Sequence, residues 1–141
     1  MTMKARLVVN GKMCKPGLDY NLAETYCGNV AATAIKVFFA LSALHGLTLR
    51  GGDLVGAYLV TPGSKDFMLC MAKPDGIIAP KGMVLQVLGN PYGLPSSGRN
   101  FSKAVDAIVR MLGYKNTPYD PKFFCKWIDG IPIAGMVLHI C

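Results

Sequence analysis

The sequence predicts an α+β fold with a largely antiparallel sheet and two main helices. Two segments carry apolar residues at helical spacing, and several short segments are rich in β-branched and aromatic residues. The dipeptide Asp129-Gly130 separates two of these short apolar segments, and Asp-Gly in that setting is a strong signal for a β-hairpin. The predicted order is strand, helix, strand, strand pair, helix and hairpin, which places the chain in the α+β class.

The first part of the chain is predicted to contain a strand, a long helix and a second strand. Residues 4–9 are rich in valine and leucine and end at an Asn-Gly turn signal, which indicates a strand. Residues 30–45 have apolar side chains at helical spacing, and Gly46 is a suitable C-terminal stop. Because the apolar face of this helix is wide, we expect the helix to be largely buried. Residues 47–53 are expected to form a short strand, in which two glycines would allow close approach to the backbone.

The remaining strands are predicted on either side of a second helix. Residues 67–71 and 83–88 are apolar segments separated by the loop AKPDGIIAPKG, and residues 123–128 and 131–140 are the two arms of the hairpin. The second helix begins near a pair of serines, Ser96 and Ser97, either of which could be its N-cap, and it ends at Gly113. Its predicted core stripe comprises Phe101, Ala104, Val105, Ile108 and Leu112.

The composition favours a folded chain with much buried apolar surface. Of 141 residues, 52% are hydrophobic and 16% are charged, and the mean hydropathy is +0.35. This length suits one core rather than two ordinary domains. The most apolar stretch, residues 30–47, is interrupted by Lys36 and His45, and it is shorter than the about 20 apolar residues of a membrane span. We therefore expect no transmembrane segment, and the first residues do not match a secretory signal peptide.

The charge and the cysteines restrict the partners and the chemistry. The 15 lysine and arginine residues outnumber the 8 acidic ones, and the net charge of +7 favours a polyanionic partner, although many small basic domains bind nothing acidic. The 5 cysteines show no Cys-x-x-Cys spacing and there are only 2 histidines, so a zinc site is not expected. An odd number of widely spaced cysteines is typical of free, mostly buried thiols in a reducing compartment.

Six phrases in the sequence carry a resemblance to a known family. They are KARLVV at 4–9, GLDYNLAETY at 17–26, GGDLVGAYL at 51–59, KPDG at 73–76, PYGLPSSGRNF at 91–101 and LGYKNTPYDPKFF at 112–124. In this order and at these intervals, the chain resembles the reverse transcriptase of copia-type (Pseudoviridae-like) LTR retrotransposons. The resemblance covers essentially the whole chain.

The resemblance implies a fold, an activity and a set of partners. The family is an RNA-directed DNA polymerase with fingers, palm and thumb, and it transfers nucleotides with two Mg²⁺ ions. In this chain, residues 1–48 and 62–90 would be fingers-like, and residues 49–61 and 91–141 palm-like, within a single partial domain. The implied partners are an RNA or DNA template-primer, deoxynucleoside triphosphates and the rest of the retrotransposon polyprotein, with no membrane. Such enzymes act in cytoplasmic virus-like particles and then in the nucleus.

The resemblance assigns the metal chemistry to the phrase GGDLVGAYL. Asp53 matches the first catalytic aspartate of the palm, and the backbone carbonyl of Leu54 would be a further metal ligand. Mg²⁺ prefers hard oxygen ligands, and small neighbours leave room for the ion and a triphosphate. The alternative is that Asp53 is a turn or cap carboxylate after a glycine pair.

The resemblance assigns nucleotide binding to residues in three phrases. Tyr58 matches an aromatic position that lies under the sugar and excludes a 2′-hydroxyl, and the alternative is a half-buried aromatic at a strand end. Lys4 and Arg6 would face the triphosphate, and the alternative is that they belong to a solvated strand face. Tyr92 and Gly93 match the loop that lines the nucleotide and template pocket. Arg99 matches an arginine a few residues later in the same motif, and the alternative interpretation is that it is an unpartnered residue in the first turn of a helix.

Two departures from the family pattern support an alternative function. The family usually has LYGLKQAPRAW where this chain has PYGLPSSGRNF, so a lysine and a glutamine that would make polar contacts are replaced by Pro95 and Ser96. The family's second metal-binding element is an Asp pair after a strand that resembles GMVLHIC, and this chain ends at Cys141, at or just before that pair. The alternative is therefore an inactive transposon-derived remnant that acts at most as a basic nucleic-acid-binding module.

Overall fold

The computed structural model describes residues 8–63 and 67–140, and the chain divides into two compact units. Unit 1 comprises Met1–Tyr26 and Gly56–Phe101, and unit 2 comprises Cys27–Val55 and Ser102–Cys141. The helices are α1, Ala32–Leu44, and α2, Ser97–Met111, with short 3-10 turns at Gly11–Met13 and Leu22–Glu24. The strands are β1, Cys70–Met71; β2, Leu85–Gln86; β3, Lys115–Asn116; β4, Phe123–Ile128; and β5, Ile131–Val137. All strand ladders between these elements are antiparallel, which confirms the predicted α+β class.

Unit 1 contains a short ladder where two strands were predicted. Strands β1 and β2 pair antiparallel, with Cys70 opposite Gln86 and Met71 opposite Leu85. The predicted strand at residues 4–9 lies mostly outside the described residues, but Val8 forms a parallel bridge with Tyr92. The backbone N–H of Val9 donates to the carbonyl of Tyr92 at 2.8 Å, so Val8 and Val9 are held next to Tyr92 by hydrogen bonding.

Unit 2 contains a three-stranded antiparallel sheet in the order β3-β4-β5. The predicted hairpin is confirmed, since β4 and β5 are joined by Asp129 and Gly130, with φ of 50° and 78°. Positive φ at both central residues is the requirement of a two-residue type I′ turn, which Asp-Gly meets at low cost. Strand β3 was not predicted, because two polar residues without alternation give no strand signal.

The core of unit 2 lies where α1 meets the sheet. Phe124 is fully buried, and the ring of Phe38 contacts that of Phe123 edge to face at 6.0 Å between centroids. Gly135 on β5 allows this packing, because a Cβ there would lie 3.1 Å from the Phe38 ring. Aromatic pairs in this geometry contribute about 0.5–1.5 kcal/mol beyond their buried area.

Both helices end in the same hydrogen-bonding pattern. After α1, Gly46 donates to Ala43 and Leu47 to Ser42; after α2, the equivalent bonds run from Gly113 to Arg110 and from Tyr114 to Val109. These are the two bonds of a Schellman motif, which needs a left-handed residue that glycine supplies without strain. The φ values of 61° at Gly46 and 87° at Gly113 meet that need, so both predicted helix stops are confirmed.

The predicted strand at residues 47–53 is wrong. Apart from the Leu47 N–H in the helix cap, the segment makes no backbone hydrogen bond to any other part of the described chain. Leu47, Thr48 and Arg50 instead line a groove of about 370 Å³ together with residues of α1 and β5. A strand is stabilised by its neighbour rather than by its own propensity, and two glycines make ordering of this segment costly.

The apolar faces of both helices were also predicted incompletely. Helix α1 is not largely buried: Val37, Phe39 and Leu44 are exposed because the helix packs mainly through one side, at Phe38. On α2, Phe101 of the predicted stripe is buried but Ile108 is exposed, as is Leu112 directly after the helix, whereas Ser102 and Val109 are buried. Ser102 is buried although it is polar, because its hydroxyl accepts a hydrogen bond from a buried lysine. Within the described ranges, neither helix has the length and apolar character needed to cross a membrane.

Candidate functional site

The predicted site residues are distributed over both units. Tyr58, Tyr92, Gly93 and Arg99 belong to unit 1, and Asp53 and Leu54 belong to unit 2. Lys4 and Arg6 lie outside the described residues, so their predicted contact with a triphosphate stays a prediction. The structure thus brings four of the predicted residues into one unit, where their mutual geometry can be described.

Two of the predicted nucleotide-binding residues are in direct ring contact. The rings of Tyr58 and Tyr92 lie 5.2 Å apart between centroids at 48°, and Tyr58 also contacts Phe101 at 5.6 Å and 66°. We call Tyr58, Tyr92 and Phe101 the aromatic cluster. Phe101 is buried, whereas both tyrosines are half-buried, so the cluster is anchored by a buried ring and both tyrosines keep some accessible surface.

Tyr58 is carried by a tight turn rather than by a strand. The N–H of Leu59 donates to the carbonyl of Gly56 at 2.9 Å, and Gly56 has a φ of 67°. Thr61 closes the turn, because its hydroxyl donates to the carbonyl of Tyr58 at 2.8 Å. A glycine at the positive φ and a threonine at the end of the turn are therefore what place the Tyr58 ring.

Asn90 connects this turn to the segments that carry the other two rings of the cluster, and it was not predicted from the sequence. Its side chain is 1% exposed, and its Nδ2 donates to the carbonyl of Thr61 at 3.0 Å and to that of Pro62 at 2.6 Å. Its Oδ1 accepts from Nδ2 of Asn100 at 2.8 Å. The sequence Gly-Asn-Pro predicts a turn, and only the fold reveals that its asparagine is buried.

Gly93 has a clear backbone function next to Tyr92. Its φ is 92°, and a Cβ at this position would clash with the carbonyl oxygen of Val9. Glycine is therefore required here by close approach of two chain segments as well as by conformation. Its predicted contact with a nucleotide stays a prediction.

Arg99 carries a buried donor without a partner. It lies in the first turn of α2 and is half-buried, and its Nε makes no hydrogen bond to any group in the described part of the chain. Burying such a donor unpaired costs about 1–3 kcal/mol. A guanidinium with an unused donor near a helix N-terminus is suited to an anionic oxygen.

Asp53 and Leu54 are both exposed and do not form a metal site on their own. Asp53 makes no hydrogen bond or ion pair with any residue in the described ranges, and no group of three or more acidic, histidine or cysteine side chains clusters there. Mg²⁺ demands near-octahedral oxygen coordination, and one carboxylate with one carbonyl offers too few ligands. The described residues therefore do not fit Mg²⁺ as a complete site.

A buried ion pair in unit 2 was not predicted from the sequence. Nζ of Lys122 lies 2.6 Å from Oδ1 and 2.8 Å from Oδ2 of Asp106, and it donates to the hydroxyl of Ser102 at 2.6 Å. The Lys122 side chain is 6% exposed and that of Asp106 27%. Asp120, also buried, accepts from the backbone N–H groups of Ala31 and Lys122, both at 2.7 Å, and so ties the start of α1 to the loop before β4.

The described cysteines are free thiols in different environments. Cys125 is buried, Cys70 is exposed, and Cys14 and Cys27 are half-buried, so the expectation of mostly buried thiols is met only in part. Burial raises the pKa of the Cys125 thiol. Burial, and then the nearby charge of Asp19, raise the pKa of Cys14. Thiols with raised pKa are poor nucleophiles and metal ligands at neutral pH.

Comparison with known proteins connects the chain to retrotransposons. The retrovirus-related Pol polyprotein from transposon TNT 1-94 of Nicotiana tabacum is 27% identical over 139 residues, which are 97% of this chain and 10% of that protein. The Pol polyprotein from transposon RE1 of Arabidopsis thaliana is 27% identical over 139 residues (97% of this chain, 9% of that protein). That from transposon RE2 of the same plant is 27% identical over 123 residues (86% and 8%).

The similarity covers nearly all of this chain but only a small part of each relative. The chain spans about a tenth of the length of the curated relatives it matches. No protein-family model matches the chain, and no solved structure matches it. The relatives confirm the resemblance to copia-type retrotransposons and support a copia-type retrotransposon origin for the sequence.

Proposed function

We propose that this chain is a segment of the reverse transcriptase, an RNA-directed DNA polymerase, of a copia-type retrotransposon. The observation that carries the proposal is the similarity to Pol polyproteins over 97% of the chain, which contains six reverse-transcriptase-like phrases in order. Its ligands are deoxynucleoside triphosphates and a template-primer, and its covalent partner is the rest of the polyprotein. The net charge of +7 favours such polyanionic ligands, because binding them releases counterions.

In this proposal the aromatic cluster forms the surface for the sugar. The half-buried ring of Tyr58, supported by Tyr92 and Phe101, offers a flat apolar face against which a deoxyribose packs. A 2′-hydroxyl pressed against such a face loses its hydration without gaining a partner, which disfavours a ribonucleotide. The cluster therefore binds one sugar and rejects the other through a single contact.

Arg99, Lys4 and Arg6 supply positive charge for the triphosphate in this proposal. The unpaired Nε of Arg99 supports its role, since a phosphate oxygen would satisfy the donor. A half-buried guanidinium binds phosphate more strongly than a fully solvated one, because less water competes for the same donors.

Asp53 supplies one carboxylate, and Leu54 one carbonyl, to a larger ligand set in this proposal. A complete set of this kind would hold Mg²⁺, which would supply Lewis-acid chemistry for nucleotidyl transfer. Because Asp53 is exposed and unpaired within the described ranges, it remains available to an additional partner. The described residues alone hold too few ligands for that chemistry, so Asp53 acts only as one member of the set.

Nucleotide binding by the purified chain tests this proposal. We expect tighter binding of dGTP than of GTP in isothermal titration calorimetry, and a reduced preference in Tyr58→Ala. Tyr119→Ala is a matched control, because it removes the same side chain at a position that is 95% exposed. Equal affinities of the unmodified chain for the two nucleotides would remove the sugar-discrimination role, and no binding of either would contradict the proposal.

A second candidate function is a basic nucleic-acid-binding module without polymerase activity. It is favoured by the lack of a metal-binding cluster in residues 8–63 and 67–140 and by the altered phrase PYGLPSSGRNF. It predicts sequence-independent binding of nucleic acid that weakens steeply with salt, and no primer extension. Mg²⁺-dependent nucleotide incorporation by the purified chain would exclude it.

A further inference from the structure

A buried amide in unit 1 joins three chain segments that are distant in sequence. Asn90 donates through Nδ2 to the carbonyl of Thr61, to its hydroxyl at 3.2 Å and to the carbonyl of Pro62. Its Oδ1 accepts from Asn100 on α2. These partners are 28 to 29 residues before Asn90 and 10 residues after it. Both ends of the amide are therefore used, which is the condition for burying an asparagine without a large penalty.

Each of the three joined segments carries one ring of the aromatic cluster. Tyr58 precedes Thr61 by one turn, Tyr92 follows Asn90 closely, and Phe101 is next to Asn100. The Thr61 hydroxyl accepts from Asn90 and donates to the carbonyl of Tyr58. A continuous series of hydrogen bonds thus runs from helix α2 through the amide to the backbone that bears the Tyr58 ring.

The turn that carries Tyr58 has few apolar anchors of its own. Its residues Leu59 and Val60 are both exposed, so burial of these side chains does not hold the turn in place. Thr61, by contrast, is buried and bonded to Asn90. Apart from the ring contacts of Tyr58 itself, the position of the turn relative to Tyr92 therefore depends on the amide.

We propose that Asn90 is a positioning residue that sets the placement of the Tyr58 ring against Tyr92 and thereby the discrimination between deoxyribose and ribose. The sugar discrimination rests on the proposed function, whereas the ring placement does not. In this proposal Asn90 does not contact the nucleotide, and it acts on the position of the Tyr58 ring through Thr61. Small displacements of an aromatic ring alter whether a 2′-hydroxyl fits, so loss of the amide should reduce selectivity more than affinity.

The test compares Asn90→Asp with a matched control in the full chain. Asn90→Asp keeps the shape and the acceptor for Asn100 but replaces the donor with a carboxylate that faces two carbonyl oxygens. Asn116→Asp is the control, because it removes one amide donor to the carbonyl of Pro121 in unit 2 and introduces the same charge. The readouts are the dGTP-to-GTP affinity ratio and the NMR cross-peaks between the ring protons of Tyr58 and Tyr92.

We expect Asn90→Asp, which loses the donors to both carbonyls, to lower the affinity ratio at least about fivefold, the equivalent of one net hydrogen bond, and to weaken the ring cross-peaks. Asn116→Asp should change neither readout. Retention of both the ratio and the cross-peaks in a folded Asn90→Asp protein would overturn the proposal. If the unmodified chain binds no nucleotide, the proposed function and the sugar discrimination fail together, and the cross-peaks still decide the ring placement.

Milder variants keep the test decisive if Asn90→Asp fails to fold. Thr61→Val removes only the hydroxyl between Asn90 and the carbonyl of Tyr58, and Asn100→Ala removes only the bond to α2. We expect Thr61→Val to lower the ratio about twofold to threefold, because it interrupts the series next to Tyr58. An unchanged ratio together with unchanged cross-peaks in both variants would contradict the positioning role.

Discussion

The two units hold their predicted functional residues in opposite ways. In unit 1, Tyr58 and Tyr92 are fixed by ring contacts and by the buried amide of Asn90. In unit 2, Asp53 lies in an exposed segment with no hydrogen-bonded partner among the described residues, although the same unit contains the buried pair of Lys122 and Asp106. The proposed sugar-binding surface therefore has rigid support within its own unit, whereas the proposed ion ligand is left unpaired by the described residues of its unit.

The largest expected effect tests the rigidity of unit 1. Gly93→Ala should lower the free energy of unfolding by about 3 kcal/mol, since it adds strain at positive φ and a clash with the carbonyl of Val9. Gly82→Ala is a matched control, because Gly82 has a similar φ of 84° but open space around it. Urea denaturation should show a loss of only about 1–2 kcal/mol for the control. Equal losses of unfolding free energy in both variants would show that the close approach of the Val9 carbonyl to Gly93 does not affect stability.

The next effect tests whether the buried pair supports unit 2. Lys122→Met should cost about 2 kcal/mol, less than the about 3–5 kcal/mol of a fully buried pair because Asp106 is partly exposed. Lys126→Met is the same change at a half-buried lysine whose Nζ donates to the carbonyl of Leu112 and lies 6.0 Å from the centroid of the Tyr114 ring, and it should cost less than about 1 kcal/mol. Thermal or urea unfolding measures both, and a more stable Lys122→Met protein would show that the pair serves specificity instead.

Local signals in the sequence predicted the parts of the fold that depend on neighbouring residues. The Asp129-Gly130 turn and the glycine stops after both helices are set within a few residues, and all three are found. The strand expected at residues 47–53 would need to pair with the edge of a sheet formed by residues distant in sequence, and no local property of the segment indicates whether such an edge is available. Strand existence is therefore less predictable from sequence than a turn or a helix end.

The ring contact in unit 1 joins two residues that were selected from the sequence, but the groups that hold these rings in place were not predicted. The family resemblance selected Tyr58 and Tyr92, which the structure places in contact. Asn90 and its partners are separated by 10 to 29 residues, and Lys122 is 16 residues from Asp106, so no periodic pattern connects them. Buried polar networks of this kind arise from the fold itself, and hydrophobic periodicity is silent about them.

A smaller effect is expected from the buried thiol of unit 2. Because burial raises the pKa of Cys125 above its ordinary value, the folded state favours the neutral thiol. The corresponding stability is fully present below the unfolded-state pKa and is lost as the pH rises through the folded-state pKa. The free energy of unfolding should therefore fall less steeply with pH in Cys125→Ala than in the unmodified chain on the alkaline side. Parallel pH profiles of the two proteins would contradict this.

The smallest expected effect concerns Asp53. Asp53→Asn should change the free energy of unfolding by less than about 0.5 kcal/mol, because the carboxylate is exposed and bonded to no group in the described part of the chain. Asp120→Asn is the contrasting variant, since that carboxylate is buried and accepts two backbone N–H groups; it should cost about 1–2 kcal/mol. Urea denaturation without added metal measures both. A large loss of unfolding free energy in Asp53→Asn would mean that Asp53 supports the fold of its unit. The contrast between the supported rings of unit 1 and the unpaired carboxylate of unit 2 would then be wrong.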